Sequence, residues 1–482
     1  MAASDEICGL DMAVLARRIA AKELSTLEVL DAVLNRLERL DPVLHMFSTV
    51  AAQQARQDAT RVEADLVAGR AVGPLAGVPI SVKDLIYTKG IRTAFGSHAY
   101  AEFVPEVDDI AVERLKAAGA IVIGKTQVAE FGFSGTGQTP LGEPTGNPWN
   151  PQRTSGGSSA GAAAAVASGV GPCALGGDAG GSIRLPASFC GVYGIKPTMG
   201  RVPIRTKDIR YPGVSSWESL EHVGPLTRTV ADAAVILSVI AGHDDRDRHS
   251  LPSESVDWRR AVNGDLRGVR VAYSADLGYA VVDPVVRSIV EQAVAVFEHD
   301  LDCTVERADP GWADPYDVLL PLIISESDLA GLRRLADQLG ERMSAHLVDV
   351  LRTDWTVEQL TDAVMGRKVV YEAASRFFHG YDLLLTPTAA VAPFGHGLQG
   401  PPVIDGRAVD GFYWMSFTFP FNLTGQPAAS VPAGFTPDGL PVGLQIVGRR
   451  LEDGLVLRAS AAYEAAAPWR DRWPPILDRP GA

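Results

Sequence analysis

Three side chains in this sequence have the types and settings that covalent catalysis needs. Lys83 ends an apolar run, Ser158 lies in a Gly-Gly-Ser-Ser-Ala-Gly segment, and Ser182 follows a pair of glycines. Glycines and the ends of apolar runs are typical of the points where a strand passes into a loop. A hydroxyl nucleophile, a second hydroxyl that relays its proton and an amine base would together make a serine hydrolase that works without histidine.

Ser182 is the predicted nucleophile, and the backbone around it is predicted to stabilise an oxyanion. Glycine lets the backbone approach a reacting carbonyl closely, and a helix that begins near 182–188 would add its N-terminal dipole. The predicted oxyanion-hole donors are the N–H groups of Ala179, Gly180, Gly181 and Ser182. Removing one such donor typically raises the barrier by about 3–4 kcal/mol.

Lys83 can act as a base only if its amine is neutral. A free lysine has a pKa of about 10.4 and is protonated at neutral pH, so burial away from negative charge must lower its pKa to about 7–8. The apolar run 77–82 provides the burial. Asp84 would oppose the shift if it pointed inward, but successive strand residues point to opposite faces. Ser158 is the predicted relay, since a hydroxyl both accepts and donates.

Other chemistries fit this sequence less well. The glycine-rich segments lack the Lys-Ser/Thr of a P-loop and the acidic residue of a dinucleotide site, and no Gly-x-Ser-x-Gly elbow is present. The run 243–249 contains two histidines and three aspartates, but a solvated loop is the better interpretation because its charges largely cancel. Taken singly, the lysine and serine segments also fit ordinary turns and flexible loops. We predict neither a metal nor a cofactor.

The composition is that of a globular protein with a large core. The chain has 482 residues, 46% of them hydrophobic, with a net charge of −14, which argues against nucleic-acid and anionic-membrane partners. The N-terminus has no signal-peptide pattern. The four cysteines fit neither a disulfide framework nor a zinc site, and we expect a cytoplasmic protein. The uncharged stretch 154–177 is too rich in small residues for a membrane span.

The order of predicted elements indicates an α/β fold. Helical patterns occupy 1–70, strands alternate with helices over 71–250, helices dominate 251–378, and strands return over 379–482. Alternation of this kind predicts a large central mixed, mostly parallel β-sheet sandwiched by α-helices. Without a low-complexity linker, we expect residues 1–482 to form a single domain. The predicted strands are 77–82, 120–125, 172–178, 192–196, 269–273, 382–386, 428–431 and 444–447.

Together these residues resemble the amidase signature family from about residue 20 to the end. The separations agree with that family, with 75 residues from Lys83 to Ser158 and 24 more to Ser182. The segments that carry the resemblance are 125–130, 146–151, 155–191, 194–198, 421–427 and 439–448. The resemblance implies a large mixed sheet between helices and a Ser–Ser–Lys triad.

In that triad, the resemblance makes Ser182 the acylated nucleophile and Ser158 the proton relay, preceded by a cis peptide bond. Lys83 would be the base in acylation and then, through Ser158, the acid that protonates the leaving amine. Family members commonly carry Asp-Thr-Gly-Gly-Ser, whereas position 179 is Ala here, so a side-chain hydroxyl is lost while the backbone donor remains. Asp178 and Arg184 are predicted to pair and brace the loop.

The substrate is harder to predict. The family spans aryl, fatty and cyclic amides, carbamates and a glutaminase-like subunit of tRNA-dependent amidotransferases. Six aromatic residues fall within 411–421, and we place Phe133, Tyr211, Trp217 and Trp414 at the substrate pocket. The loop 203–220 is a candidate lid. A helix as aromatic as 411–421 also fits core packing.

We predict hydrolysis of C–N bonds in apolar or aryl amides, with side activity on aryl esters and carbamates. The alternatives for an enzyme are a carbamate-specific hydrolase and a glutaminase-like subunit, and the non-enzyme alternative is a catalytically silent scaffold. The expected partner is a small-molecule amide, ester or carbamate, and the sequence leaves a homodimer open.

Overall fold

The computed structural model describes residues 3–205, 211–214, 217–253 and 256–478. The helices are α1 (Ala3–Gly9), α2 (Met12–Ala20), α3 (Thr26–Leu44), α4 (Ala52–Val67), α5 (Ile110–Ala117), α6 (Ala160–Ala167), α7 (Arg184–Cys190), α8 (Val230–Ile240), α9 (Trp258–Ala261), α10 (Pro284–His299), α11 (Tyr316–Ser325), α12 (Leu329–Leu339), α13 (Ala345–Arg352), α14 (Val357–Gly380), α15 (Pro420–Thr424) and α16 (Asp453–Ala466). Short 3₁₀ turns cover His98–Tyr100, Glu130–Gly132, Gly340–Arg342, Tyr413–Met415 and Pro475–Asp478.

The strands are β1 (Phe47–Val50), β2 (Pro79–Lys83), β3 (Ile121–Thr126), β4 (Gly146–Asn147), β5 (Asn150–Thr154), β6 (Cys173–Asp178), β7 (Tyr193–Lys196), β8 (His222–Thr227), β9 (Arg270–Tyr273), β10 (Thr304–Arg307), β11 (Leu383–Pro387), β12 (Val403–Ile404), β13 (Arg407–Ala408), β14 (Ala428–Phe435) and β15 (Pro441–Gly448). Each of the eight strands predicted from the sequence is present, with boundaries that differ by a few residues.

Eleven strands form one mixed sheet in the order β1-β3-β2-β6-β8-β7-β14-β15-β11-β9-β10. The mixed sheet flanked by helices is confirmed, but the expected parallel majority is not found. Six of the ten neighbouring pairs are antiparallel, and the parallel pairs are β3–β2, β2–β6, β11–β9 and β9–β10. Among the antiparallel pairs, β7–β8 and β14–β15 join strands that are consecutive in the chain, and such neighbours need no crossover helix.

Strand β8 has no counterpart among the predicted strands, although it lies at the centre of the sheet. It pairs with β6 on one side and β7 on the other. Its sequence contains Gly224 and Pro225, two residue types that normally argue against a central strand. The surrounding tertiary structure overrides that local preference.

Helices cover both faces of the sheet. Successive residues of β6 join different hydrophobic clusters, with Ala174 packed among residues of α3 and α6 and Leu175 packed among residues of α5 and α8. Every residue of α6 is buried, and all but two are alanine, so this helix lies close against the sheet. No helix in the described part of the chain is long and apolar enough to span a bilayer.

Candidate active site

The topology of the sheet brings Lys83 to the loop that contains Ser182. Lys83 is the last residue of β2, and β2 runs parallel and adjacent to β6, which ends at Asp178. The carboxyl ends of adjacent parallel strands meet at one sheet edge. Lys83 is 1% exposed, and its Nζ donates to Ser158 Oγ at 2.9 Å and to the Gly177 carbonyl at 2.8 Å.

Asp84 makes its contacts away from these groups, as the alternation of strand residues predicts. Its carboxylate accepts the N–H of Ala94 at 3.1 Å and interacts with the charge of Lys125. Burial raises the pKa of Asp84 to about 6, although the Lys125 ammonium opposes the rise. The carboxylate next to the predicted base therefore belongs to a separate buried pair.

Ser158 reaches the sheet edge on the segment between β5 and α6. The Gly157–Ser158 peptide is cis, as the resemblance implies. The next residue, Ser159, donates its N–H to the Ser182 carbonyl at 3.2 Å and its hydroxyl to the Gly177 carbonyl at 3.1 Å. Backbone and side-chain contacts of Ser159 thus hold the two serine segments side by side.

Ser182 and Ser158 both line one cavity of about 200 Å³. No hydrogen bond joins their hydroxyls in the described structure, so only the lysine half of the predicted relay is a hydrogen bond here. The Ser158–Ser182 link remains a prediction. None of the described residues that line the cavity carries a positive charge.

A buried ion pair braces the loop that carries Ser182. Arg184 and Asp178 are both 0% exposed, and two nitrogens of the guanidinium donate to the carboxylate at 2.9 Å. Burial alone would raise the pKa of Asp178, but the charge and hydrogen bonds of Arg184 outweigh burial and hold that pKa well below its ordinary value. Arg184 also donates to the Thr418 carbonyl, Gln445 and Asn422. The predicted pairing is confirmed.

The same carboxylate changes the predicted oxyanion hole. The N–H of Gly181 donates to Asp178 Oδ1 at 2.7 Å, so this N–H is directed at the ion pair and not at the cavity. Including Gly181 among the donors was therefore wrong. Ala179, Gly180 and Ser182 all line the cavity, and within the described chain no protein acceptor pairs with their N–H groups. These three remain the predicted donors.

Another buried lysine, besides Lys83 and Lys125, lies behind the loop. Lys196 contacts the Gln426 carbonyl and lies 3.3 Å from His222 Nε2. Burial lowers the pKa of Lys196 well below its ordinary value, with Arg184 acting in the same direction, and burial likewise lowers the pKa of His222. Lys83 differs from Lys196 by its hydrogen bond to a serine hydroxyl. Both lysines are buried, so burial does not identify the base. The location of Lys83 next to Ser158 makes it the candidate base.

Two of the four predicted pocket residues lie on the cavity wall. Phe133 and Trp217 both line it, with their rings edge to face at 4.9 Å between centroids. The Trp217 indole donates to Ser327 Oγ at 2.8 Å. These positions agree with the prediction of an aromatic wall.

The predictions for Trp414 and Tyr211 were wrong. Trp414 is 0% exposed, stacks on Phe189 and donates its indole N–H to the Gln399 carbonyl, so it belongs to the core. Tyr211 packs at 4.7 Å against Phe103 in a separate aromatic cluster. Both rings find apolar partners away from the cavity. Part of the predicted lid, 206–210 and 215–216, lies outside the described residues.

A ring of hydrogen bonds fixes the backbone at Phe133 and Ser134, on the aromatic wall of the cavity. Ser134 Oγ donates to Gln399 Oε1 at 2.7 Å, Gln399 Nε2 lies 3.2 Å from His346 Nδ1, and His346 Nε2 lies 3.2 Å from the Phe133 carbonyl. This pattern is satisfied by a neutral imidazole with its proton on Nε2. Burial lowers the pKa of His346, which favours that neutral form.

Comparison with known proteins identifies the relatives of this chain. The Amidase family profile matches residues 28–457. The chain belongs to the amidase signature family. It is 36% identical to an acylamidase of Rhodococcus erythropolis over 95% of this chain and 96% of that protein.

A relative of another kind is nearly as similar. The chain is 35% identical to one of the subunits of the glutamyl-tRNA(Gln) amidotransferase of Thermosynechococcus vestitus, over 96% of this chain and 99% of that protein. Among solved structures, a bacterial aryl acylamidase of the amidase signature family superposes with a TM-score of 0.91 at 31% identity, covering 98% of this chain and 100% of that chain. The chain is thus an amidase signature hydrolase, and its substrate must be argued from the site.

Several residues that line the cavity of this amidase signature protein were not predicted from its sequence. Helix α11 supplies Leu319 and Ile323 to the cavity, and Glu221 also lines it. A Cβ on Gly177 would lie 2.2 Å from Glu221 Oε1 and 3.5 Å from Lys83 Nζ. A carboxylate therefore lies close to the Lys83 amine, contrary to the expectation that this amine is buried away from negative charge. A lone Glu before β8 matches no motif, and only the paired strands β6 and β8 bring it to the site.

Proposed function

We propose that the protein hydrolyses apolar or aryl amides through an acyl-enzyme on Ser182, with side activity on aryl esters and carbamates. The observation that carries the proposal is the buried Lys83 amine 2.9 Å from Ser158, whose hydroxyl shares an apolar cavity with Ser182. The small-molecule substrate needs no nucleic-acid or membrane partner, and the reaction takes place in the cytoplasm.

In acylation, neutral Lys83 accepts a proton from Ser158 while Ser158 takes the proton of Ser182. The Ser182 oxygen forms a bond to the substrate carbonyl carbon, and the carbonyl π pair moves onto the oxygen. The N–H groups of Ala179, Gly180 and Ser182 are the donors that stabilise this oxyanion. As the C–N bond breaks, protonated Lys83 returns the proton through Ser158 to the leaving amine. In deacylation, water attacks the acyl carbon and gives its proton through Ser158 to Lys83. The proton then returns to the Ser182 oxygen as its bond to the acyl carbon breaks.

The walls of the cavity support an apolar acyl or aryl group. Leu319 and Ile323 of α11 lie on the wall with Phe133 and Trp217. A cavity of about 200 Å³ suits a small aromatic or short acyl group. An ester or carbamate forms the same tetrahedral oxyanion, so the same donors serve all three substrate classes.

The glutaminase-like alternative is favoured by the 35% identity to a component of an amidotransferase. A free glutamine carries an α-carboxylate, and proteins usually hold that group with a cation. None of the described cavity-lining residues is basic, and Glu221 and Asp410 line it, so the described walls favour a substrate without a carboxylate.

The test is hydrolysis of p-nitroacetanilide by the purified protein alone, by Ser182→Ala and by Ser188→Ala. Ser188 is a buried serine of α7 outside the site, so we expect it to be dispensable, while Ser182→Ala loses at least a thousandfold in kcat. Lys83→Met should lose anilide turnover but keep part of its activity on p-nitrophenyl acetate, whose leaving group needs no proton.

Each of the other outcomes contradicts a named part of the proposal. An active Ser182→Ala variant would remove the nucleophile, and equal losses on ester and anilide in Lys83→Met would remove the base. Ammonia release from glutamine faster than anilide cleavage would favour the amidotransferase alternative, and turnover of aryl carbamates alone would favour the carbamate-specific one.

A further inference from the structure

The peptide between Gly180 and Gly181 is held at both ends. Its carbonyl accepts the Thr418 hydroxyl at 2.7 Å, and its N–H donates to Asp178 Oδ1 at 2.7 Å. The Met415 carbonyl lies 3.1 Å from the same hydroxyl, and because a hydroxyl has one proton, we assign that proton to the shorter contact with Gly180. Two consecutive glycines make this the least restricted part of the loop. A peptide flanked by glycines needs such contacts to keep one orientation.

Two other peptides of this loop, Asp178–Ala179 and Gly181–Ser182, are held through their carbonyls alone. The Asp178 carbonyl accepts Asn422 Nδ2 at 2.8 Å, and the Gly181 carbonyl accepts the N–H of Leu185 at 2.7 Å. In a trans peptide the N–H points opposite to the C=O. Fixing these carbonyls on the protein side therefore directs the N–H groups of Ala179 and Ser182 the other way, and both residues line the cavity.

Thr418 holds the peptide that separates two of the predicted donors. The peptide that it holds lies between the N–H of Gly180 and the N–H of Ser182, so a rotation of that peptide would misalign both. Thr418 is 0% exposed, and a Cβ on Gly181 would lie 2.3 Å from its hydroxyl oxygen. The contact is therefore close, and Thr418 acts through the loop and not on the substrate.

We propose that Thr418 is a positioning residue for the oxyanion hole, through its hydrogen bond to the Gly180 carbonyl. The inference rests on the proposed function, since it presupposes that the three N–H groups bind an oxyanion. It assigns a role in catalysis to the 411–421 segment, which the sequence presented as a pocket wall or core. That role lies in a hydroxyl and not in the aromatic rings around it.

The test compares Thr418→Val with Thr418→Ser and with a matched control. Thr424 is also buried, lies six residues on in α15, and donates its hydroxyl to the Pro420 carbonyl at 2.8 Å. Thr424→Val thus loses the same kind of hydrogen bond away from the site. Each variant is assayed for kcat and KM on p-nitroacetanilide, for the binding of an aryl boronic acid that forms a tetrahedral adduct, and for thermal unfolding.

We expect Thr418→Val to lose about ten- to a hundredfold in kcat with KM nearly unchanged, less than the loss from deleting a donor outright. Boronate affinity should fall by a similar factor, because the adduct oxygen uses the same donors. Thr418→Ser should recover most of both, and Thr424→Val should keep both even if it unfolds at a lower temperature. If Thr418→Val does not fold, Thr418→Cys keeps the volume with a weaker donor and should show an intermediate loss.

The inference is overturned if Thr418→Val keeps the wild-type kcat, or if kcat falls while boronate affinity stays the same. It is also overturned if Thr424→Val loses as much activity, since a general loss of stability would then be the cause. An inactive Ser182→Ala beside a fully active Thr418→Val would reject this role alone. An active Ser182→Ala would instead reject the proposed function.

Discussion

The two sides of the cavity are built in different ways. On the side of the two serines, buried polar groups hold the backbone, and Arg184 alone contacts Asp178, Thr418, Asn422 and Gln445. The opposite side is formed by apolar residues of α11 and by Phe133 and Trp217. The first side depends on directional hydrogen bonds, and the second on packing. Reaction geometry should therefore be sensitive to single polar changes, while substrate preference should change with side-chain volume.

The largest effect should follow removal of the buried charge at Arg184. Arg184→Met leaves Asp178 buried without its cation, and we expect the free energy of unfolding to fall by about 3–5 kcal/mol. Chemical denaturation measures it. The control is Arg376→Met, which breaks the exposed pair of Arg376 with Glu372 on α14 and should cost less than about 1 kcal/mol. Similar small losses in both variants would show that the polar side is not held as described.

A smaller effect is expected on the packed side. Leu319→Ala should lower the free energy of unfolding by about 2–3 kcal/mol and enlarge the cavity. The ratio of kcat/KM for a bulky over a small acyl anilide should then rise about tenfold. Leu322 belongs to the same helix and the same hydrophobic cluster as Leu319 but does not line the cavity. Leu322→Ala should cost similar stability without changing that ratio, and an equal change in both variants would contradict the assignment of the wall.

The smallest effect concerns His346 in the hydrogen-bond ring of the packed side. Burial lowers its pKa in the folded protein, so below about pH 6.5 the unfolded chain binds a proton that the folded protein does not. The free energy of unfolding should fall as the pH drops from there towards the folded pKa, by at most about 1.4 kcal/mol per pH unit from this group.

Denaturation at several pH values between about 7.5 and 5.5 tests this contribution of His346. As the pH falls over that interval, the stability of His346→Gln should rise relative to that of the wild type, because its side chain does not titrate. His222 contributes in the same direction in both proteins, since burial lowers its pKa as well. Burial raises the pKa of Asp84 and Asp232 to about 6 and that of Glu464 to about 7, and these carboxyls contribute in the opposite direction in both proteins. The test is therefore the difference between the two slopes. Identical slopes would show that His346 does not titrate below its ordinary pKa.

The residues predicted to carry chemistry have signals that are local in the sequence. Lys83 at the end of a strand, Ser158 and Ser182 beside glycines, and the Asp178–Arg184 pair are each defined within a few positions of sequence. A signal of the same local kind is the pair Ser25 and Glu28, three residues apart, which forms the capping box of α3. The family profile agrees with these signals, and the triad roles remain predictions for the assays above.

The apolar wall was only half predictable. An aromatic side chain is equally suited to a core and to a pocket, so Trp414 could not be distinguished from Trp217 by residue type. Trp414 found a stacking partner in Phe189, whereas Trp217 faces the cavity. Packing partners from distant segments decided which ring was covered.

The sequence by itself determined the family, the candidates for the reactive side chains and the mixed sheet between helices, because these depend on short motifs and on the alternation of strand and helix patterns. Only the tertiary structure decided the orientation of the backbone donors. The N–H of Gly181 turned to Asp178, and Thr418, 237 positions along the chain from Gly181, came to hold the adjoining carbonyl. A hydrogen bond depends on distance and angle in space, and contacts between residues so far apart in sequence exist only once the strands between them have paired.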